Sequence, residues 1–343
     1  MTRAHVSPPV AATIRDLTKL VEDGMSAFLA REQARRAVPD PRGAMPVMEI
    51  ASLARAGGKR LRPVFCLSGY LAAGGSSTEE PVRAAMALEL LHIGALIHDD
   101  VMDDSDLRRG VPTTHVKHAQ AHETQCWQGE SRRYGDAIAI MAGLLAWTYA
   151  DKLMADLSPA VTREWFELRA ELVAGQTLDV VAAAEFAADP LLARHIAVVK
   201  SGRYTIHRPL VIGATLAGRP ELAPAFEVYG EALGEAFQLR DDLIDAFGSA
   251  SASGKPAGLD FEQHKMTLLL ALAMREDVAV RELVERGAFD ELRGHLIGVR
   301  DTVEDHIADL VRKARTAIGD APISPEWIGE LSAMAGKVAY RDR

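Results

Sequence analysis

Residues 80–100 read EPVRAAMALELLHIGALIHDD, and this stretch decides the class of fold. Apolar side chains recur at three-to-four spacing, and alanine and leucine stand where a sheet would favour β-branched residues. Within it MALELLHIGALIH (86–98) is apolar nearly all round, which predicts a helix at the centre of a bundle. The stretches TIRDLTKLVEDGMSAFLAR (13–31) and AIAIMAGLLAWTYADKLMADL (137–157) repeat the pattern, and no convincing alternating strand is found. Turn residues punctuate the helical runs at 38–46 (VPDPRGAMP), 72–78 (AAGGSST), 158–162 (SPAVT), 187–190 (AADP), 217–222 (AGRPEL) and 248–258 (GSASASGKPAG). The polar, poorly periodic KHAQAHETQCWQGESRRYGD (117–136) is expected to be a surface loop or lid. None of these breaks resembles a linker and no repeat is present, so residues 1–343 are expected to form one large all-α domain.

Composition narrows the function. With 48 acidic against 39 basic residues the chain carries a formal charge of -9, which argues against nucleic acid and requires any anion site to be built locally. The two cysteines, Cys66 and Cys126, show no metal-like spacing, so a reduced cytoplasmic protein is expected. The stretch MTRAHVSPPVAATIRDL (1–17) has no continuous apolar segment and no later run reaches about 18 uncharged apolar residues, so neither a leader nor a transmembrane segment is expected.

The central helix leads into HDDVMDDSDLRRG (98–110). If the helix continues, Asp99 and Asp103 share a face, as do Asp100 and Asp104. Like charges at that spacing cost roughly a few tenths of a kcal/mol per pair unless a cation sits between them. Oxygen ligands of this kind suit Mg²⁺, which binds one or two carboxylates plus substrate phosphates. One such motif alone reads first as a solvated helix end, but QLRDDLID (238–245) supplies a second, with Asp241 and Asp245 on one face. Two acidic motifs at the ends of core-like helices point to carboxylates facing each other around metal. Cations accompany them: Lys59, Arg60 and Arg62 in GGKRLRP (57–63), Arg108 and Arg109, Lys200 and Arg203 in KSGRY (200–204), Lys255 and Lys265. Guanidinium forks suit phosphate oxygens, so metal plus arginine implies a polyphosphate.

In order, GGKRLRP, LIHDDVMDDSDLRRG, GQTLD (175–179), KSGRYT (200–205), FQLRDDLID and GKPAG (254–258) resemble the trans-isoprenyl diphosphate synthases, also called polyprenyl synthetases. The resemblance implies the isoprenoid synthase fold: an all-α bundle around a deep central cavity, usually as a homodimer. It implies an Mg-dependent prenyltransferase that condenses isopentenyl diphosphate with an allylic diphosphate by ionisation, condensation and elimination. By the same resemblance Asp99, Asp103 and Asp179 bind metal at the allylic diphosphate, and Asp241, Asp245 and Asp260 hold the remaining metal. Arg108, Lys200 and Lys255 clamp that diphosphate, with Ser201, Gln238 and Lys265 beside them. Lys59, Arg62, His92 and Arg109 hold isopentenyl diphosphate, while His98 is expected to orient a carboxylate or stack between helices.

In this family side chains about one turn before the first aspartate act as a floor for the product tail. Here they are Gly94 and Ala95, whose size leaves room beyond fifteen carbons, with Leu90 and Leu91 as later stops. Geranylgeranyl diphosphate is the expected product, and farnesyl or a longer polyprenyl diphosphate the alternative. A terpene cyclase would not need GGKRLRP, and a non-catalytic partner subunit would lack one acidic motif. Departures from the family pattern are Leu144 where an aspartate is frequent, His264 before Lys265, GLD (258–260) for a more acidic run, and Ser201 for threonine.

Overall fold

The computed structural model describes residues 10–108, 110–248, 261 and 265–341. Helices dominate them: α1 Val10–Arg36, α2 Met45–Arg55, α3 Leu61–Ala72, α4 Glu79–Met102, α5 Thr114–Thr124, α6 Ser131–Met154 and α7 Pro159–Glu185. There follow α8 Pro190–Ile196, a π-helical segment Ala197–His207, α9 Arg208–Leu216, α10 Ala223–Phe247, α11 Leu268–Glu276, α12 Ala279–Glu285, α13 Phe289–Gly319 and α14 Pro325–Ala339. The only described strands, β1 Leu107–Arg108 and β2 Val111–Pro112, form a small antiparallel hairpin.

Local chemistry places the helix starts where the turn signals predict them. Ser158 caps α7 by accepting from the Val161 N–H, Asp189 caps α8 by accepting from Leu191, and a proline occupies the first turn of each. Thr267 caps α11 in the same way through Leu270.

The core has two contiguous apolar clusters. One gathers α1, α2, α4, α6 and α7; the other gathers α9, α10, α11, α13 and α14. They meet at α3, where Phe65 belongs to the second and its neighbours Cys66 and Leu67 to the first. Helix α4 is central, with buried residues from Pro81 to Asp100 on every face, as its all-round apolar sequence predicts. Helix α6 is long and apolar enough to cross a membrane, but half of its most apolar window is buried in the fold.

The expected loop at 117–136 is a correction: most of it is helix, in α5 and the start of α6. The buried face of α5 is built from imidazoles. His118 Nε2 lies 3.1 Å from Glu49 Oε1, which also accepts from Lys117 Nζ at 2.7 Å, and His122 packs against Tyr134 at 5.2 Å between ring centroids. His115, His118 and His122 keep helical spacing, but because histidine is polar by composition the periodicity is invisible to a hydropathy pattern.

Candidate active site

The helix α4 stops abruptly at its acidic end. Asp104 adopts a left-handed conformation (φ 49°), Ser105 N donates to Asp100 O at 2.9 Å and Asp104 N to Val101 O, which is the Schellman arrangement that satisfies the last carbonyls. Four of its aspartates are thereby sorted. Asp99 lines the cavity and Asp103 pairs beside it with Lys265, but Asp100 and Asp104 part company. Asp100 is buried under Arg108 (2.5 Å), while Asp104 points outward to Arg132 on α6 at 2.8 Å.

The small hairpin folds Arg108 back over that helix end, where its Nη2 also lies 3.6 Å from Asp99 Oδ2. Lys200 Nζ sits 2.5 Å from Asp179 Oδ2 and 3.5 Å from Asp99 Oδ1, and Lys265 Nζ sits 2.8 Å from Asp103 Oδ2. Gln176 donates to Asp99 Oδ1 at 3.3 Å. Burial pushes both carboxyls of α4 upward. For Asp99 the cations Lys200, Lys265 and Arg108 outweigh burial and hold it below the usual carboxylate range. For Asp103 burial is reinforced by the charge of Asp99, and its carboxyl is held above that range. The repulsion read from the spacing is therefore present in three dimensions.

Two close backbone approaches bring Lys200 to this point. A Cβ on Gly175 would lie 2.6 Å from Lys200 N, and one on Gly234 would lie 2.1 Å from Gly202 Cα, so only glycine lets the π segment lie between α7 and α10. π-Helical geometry is uncommon and frequently marks functional positions. From the same segment Ser201 Oγ donates to Gln238 Oε1 at 2.6 Å, and Gln238 Nε2 donates to Asp242 Oδ1 at 2.8 Å, which ties the serine hydroxyl to α10. Asp241 faces the cavity and pairs with Arg341, a residue that motif reading passed over. Asp245 lies one turn further on, half-buried and outside the cavity lining.

Across the cavity lies the GGKRLRP loop. Gly57 and Gly58 have positive φ (77° and 152°), and Arg60 follows at 49°. Arg60 is not available to an anion, which corrects its inclusion among the anion-holding cations: its buried guanidinium pairs with Glu89 and with Glu22 at 3.2 Å, and donates to Ala54 O at 2.6 Å. Lys59, Arg62 and His92 line the cavity. Arg62 lies 4.0 Å above the Tyr204 ring centroid and donates to Thr205 at 2.8 Å, and the Tyr204 hydroxyl lies 2.7 Å from His92 Nδ1. Sequence reasoning missed Tyr204 and Gln176; the available signal was helical spacing, since Tyr204 stands four residues after Lys200 and Gln176 three before Asp179.

These groups surround a cavity of about 670 Å³, whose apolar side is formed by Ala95, Leu96, Leu172, Ile196 and Phe237. The expected floor needs correction at two of its positions. Ala95 lines the cavity, but a Cβ on Gly94 would lie 2.3 Å from Trp147 Cδ1, and Leu91 is fully buried and outside the cavity lining. Gly94 is small because α6 packs there. His98 meets Trp147 edge-on at 5.4 Å and its Nε2 lies 3.1 Å from Ile140 O, a helix-packing role. Arg109, Lys255 and Asp260 lie outside the described residues.

Among the described residues no three His, Cys, Asp or Glu side chains converge as a ready-made metal cage. A hard cation that completes its shell with water and phosphate does not need one. The crowded oxygens of Asp99 and Asp103, already drawing Lys200 and Lys265, fit such a cation.

A family model described as polyprenyl synthetase matches residues 47–291. The chain is 31% identical over 295 residues to geranylfarnesyl diphosphate synthase of Aeropyrum pernix, covering 79% of this chain and 86% of that one. It is 34% identical over 236 residues to farnesyl diphosphate synthase of Geobacillus stearothermophilus, covering 64% and 72%. Among solved structures, geranylgeranyl pyrophosphate synthase from Corynebacterium glutamicum, complexed with isoprenyl diphosphate and magnesium, superimposes with a TM-score of 0.90 at 32% identity, covering 95% of this chain and 99% of that one.

Proposed function

Because the chain belongs to the polyprenyl synthetase family and is a prenyltransferase of the trans-prenyl diphosphate synthase class, we propose that it extends an allylic diphosphate with isopentenyl diphosphate to geranylgeranyl diphosphate. The observation that carries this reading is one cavity lined by Asp99 and Asp241 from the two acidic motifs, by Lys200 and Lys265, and by Arg62 and Lys59 opposite.

Asp99, Asp103 and Asp179 on one side and Asp241 on the other would hold divalent cation, magnesium in our reading. Bound there, it would supply neutralising charge to a leaving diphosphate. Arg108, Lys200 and Lys265 bind the same diphosphate and draw off its developing charge as the C–O bond breaks and the electron pair leaves with oxygen. Lys59, Arg62 and His92 hold the diphosphate of isopentenyl diphosphate, and the Tyr204 contacts fix the direction of Arg62 and His92. The isopentenyl double bond forms the new C–C bond to the allylic cation, and a proton then passes to the released diphosphate. Ala95, Leu96, Leu172 and Phe237 keep water away from that cation. Ala95 is the support for a product beyond farnesyl, since its methyl group leaves the cavity wall open.

The protein is proposed to act as a homodimer in the reducing cytoplasm. Ile140, Met141 and Leu144 form an exposed apolar face on α6, and Cys66 and Cys126 are both free thiols. Incubation of the purified chain with Mg²⁺, isopentenyl diphosphate and each allylic primer, followed by mass spectrometry of the products, tests the reading. A geranylgeranyl product is expected; accumulation of farnesyl diphosphate refutes the assigned length.

A further inference from the structure

Below the acidic mouth, α4 and α7 run parallel, both chains rising toward it, so that their residues descend in matched turns. Gln176 meets Asp99 at the top, and one turn lower Leu172 and Ala95 both line the cavity. The next turn brings Leu91 and Arg169, and the space beside them is filled from a third helix by Trp147 of α6. Its indole Nε1 donates to Leu91 O at 3.1 Å, its edge packs on His98, and its Cδ1 occupies the position that a side chain at Gly94 would need. The ring is held from the other side as well. The Arg169 guanidinium lies 5.6 Å from the ring centroid, and Arg169 Nη1 donates to Asp151 Oδ1 at 2.6 Å. Trp165 Nε1 donates to the same oxygen at 2.8 Å, which ties the brace into the core.

A substrate whose diphosphate is fixed at the aspartates extends its tail down this groove, because its apolar walls, Ala95 and Leu172, lie in that direction. We propose that Trp147, braced by Arg169, is the floor that sets product length, so that the stop is supplied by α6 and not by the small residues of α4. The inference rests on the prenyl diphosphate synthase reading. Gly94 then has a definite purpose: its missing side chain is what lets the indole reach α4.

The test compares the products of the wild-type chain, Trp147→Ala, Trp147→Leu and Arg169→Met, made from isopentenyl diphosphate and a farnesyl primer with Mg²⁺. Circular dichroism checks folding in parallel. Trp147→Ala is expected to move the main product longer by at least one isoprene unit, Trp147→Leu to do so in part, and Arg169→Met to broaden the distribution toward the next longer product. If Trp147→Ala does not fold, Trp147→Leu and Arg169→Met decide, since Arg169 is partly exposed and its loss leaves the apolar core intact. Unchanged product length in the folded variants overturns the assignment of Trp147 while leaving the synthase reading standing. A wild-type chain that makes no prenyl diphosphate from any primer overturns the reading beneath it.

Discussion

Asp99 and Asp103 are one helical turn apart, yet their carboxyls are driven in opposite directions. The cations gather on Asp99, and its retained charge disfavours ionisation of Asp103. Crowding of this kind is costly in the isolated protein and favourable once a substrate and its cation share the site. Asp99→Ala and Asp241→Ala are each expected to lower kcat by about 10²–10³-fold, the range for removing one preorganised electrostatic contact, with an unchanged far-ultraviolet circular dichroism spectrum. Near wild-type turnover in either variant would assign the acidic motifs another role. A second residue-scale effect lies away from the site. Burial, helped by the neighbouring Arg208, depresses the His207 imidazole from 6.5 to about 3. The unfolded chain takes up a proton below pH 6.5 that the folded chain refuses, so this contribution to stability is complete above that pH and is lost as pH falls toward 3. Urea denaturation at pH 7 and pH 5 should show a larger loss for the wild type than for His207→Gln; equal losses would exclude it.

At the scale of elements, function depends on how closely helices approach. Gly175 allows α7 to touch the backbone of the π segment at Lys200. Gly175→Ala places a methyl group 2.6 Å from a backbone nitrogen that cannot move alone. Overpacking of this kind costs about 1–3 kcal/mol. A lower melting temperature in calorimetry, together with reduced turnover as Lys200 shifts from Asp179, is the expected result, and an unchanged melt would show that the contact relaxes freely. Helix α4 illustrates the converse. Ala95 and Gly94 are adjacent small residues, but they serve different neighbours, the cavity and Trp147. Ala95→Phe is therefore expected to shorten the product, measured by mass spectrometry, because its ring enters the cavity; an unchanged length would remove Ala95 from the wall.

For the whole molecule, the proposed homodimer would bury the exposed apolar face of α6. Leu144 stands 59% exposed, and Leu144→Glu is expected to shift the protein toward monomer in sedimentation velocity. Unaltered sedimentation would place the interface elsewhere. The sequence by itself determined the all-α class, the central place of α4, the capped helix starts and both acidic motifs, because each depends on periodicity or on neighbours within one turn. It could also nominate Lys200, Lys265 and Arg62, whose chemistry is legible without their positions. Other assignments needed contacts between segments distant in sequence. Arg60, read as one of a set of cations, is committed to Glu89 and Glu22; the buried face of α5 is made of imidazoles, of which His118 finds its partner in Glu49 of α2; Tyr204 acquires its role from Arg62 and His92, more than a hundred residues earlier. The floor is the clearest case. A glycine in sequence signifies an absent side chain, and only tertiary packing decides whether that volume is open to a ligand or taken by an indole from another helix.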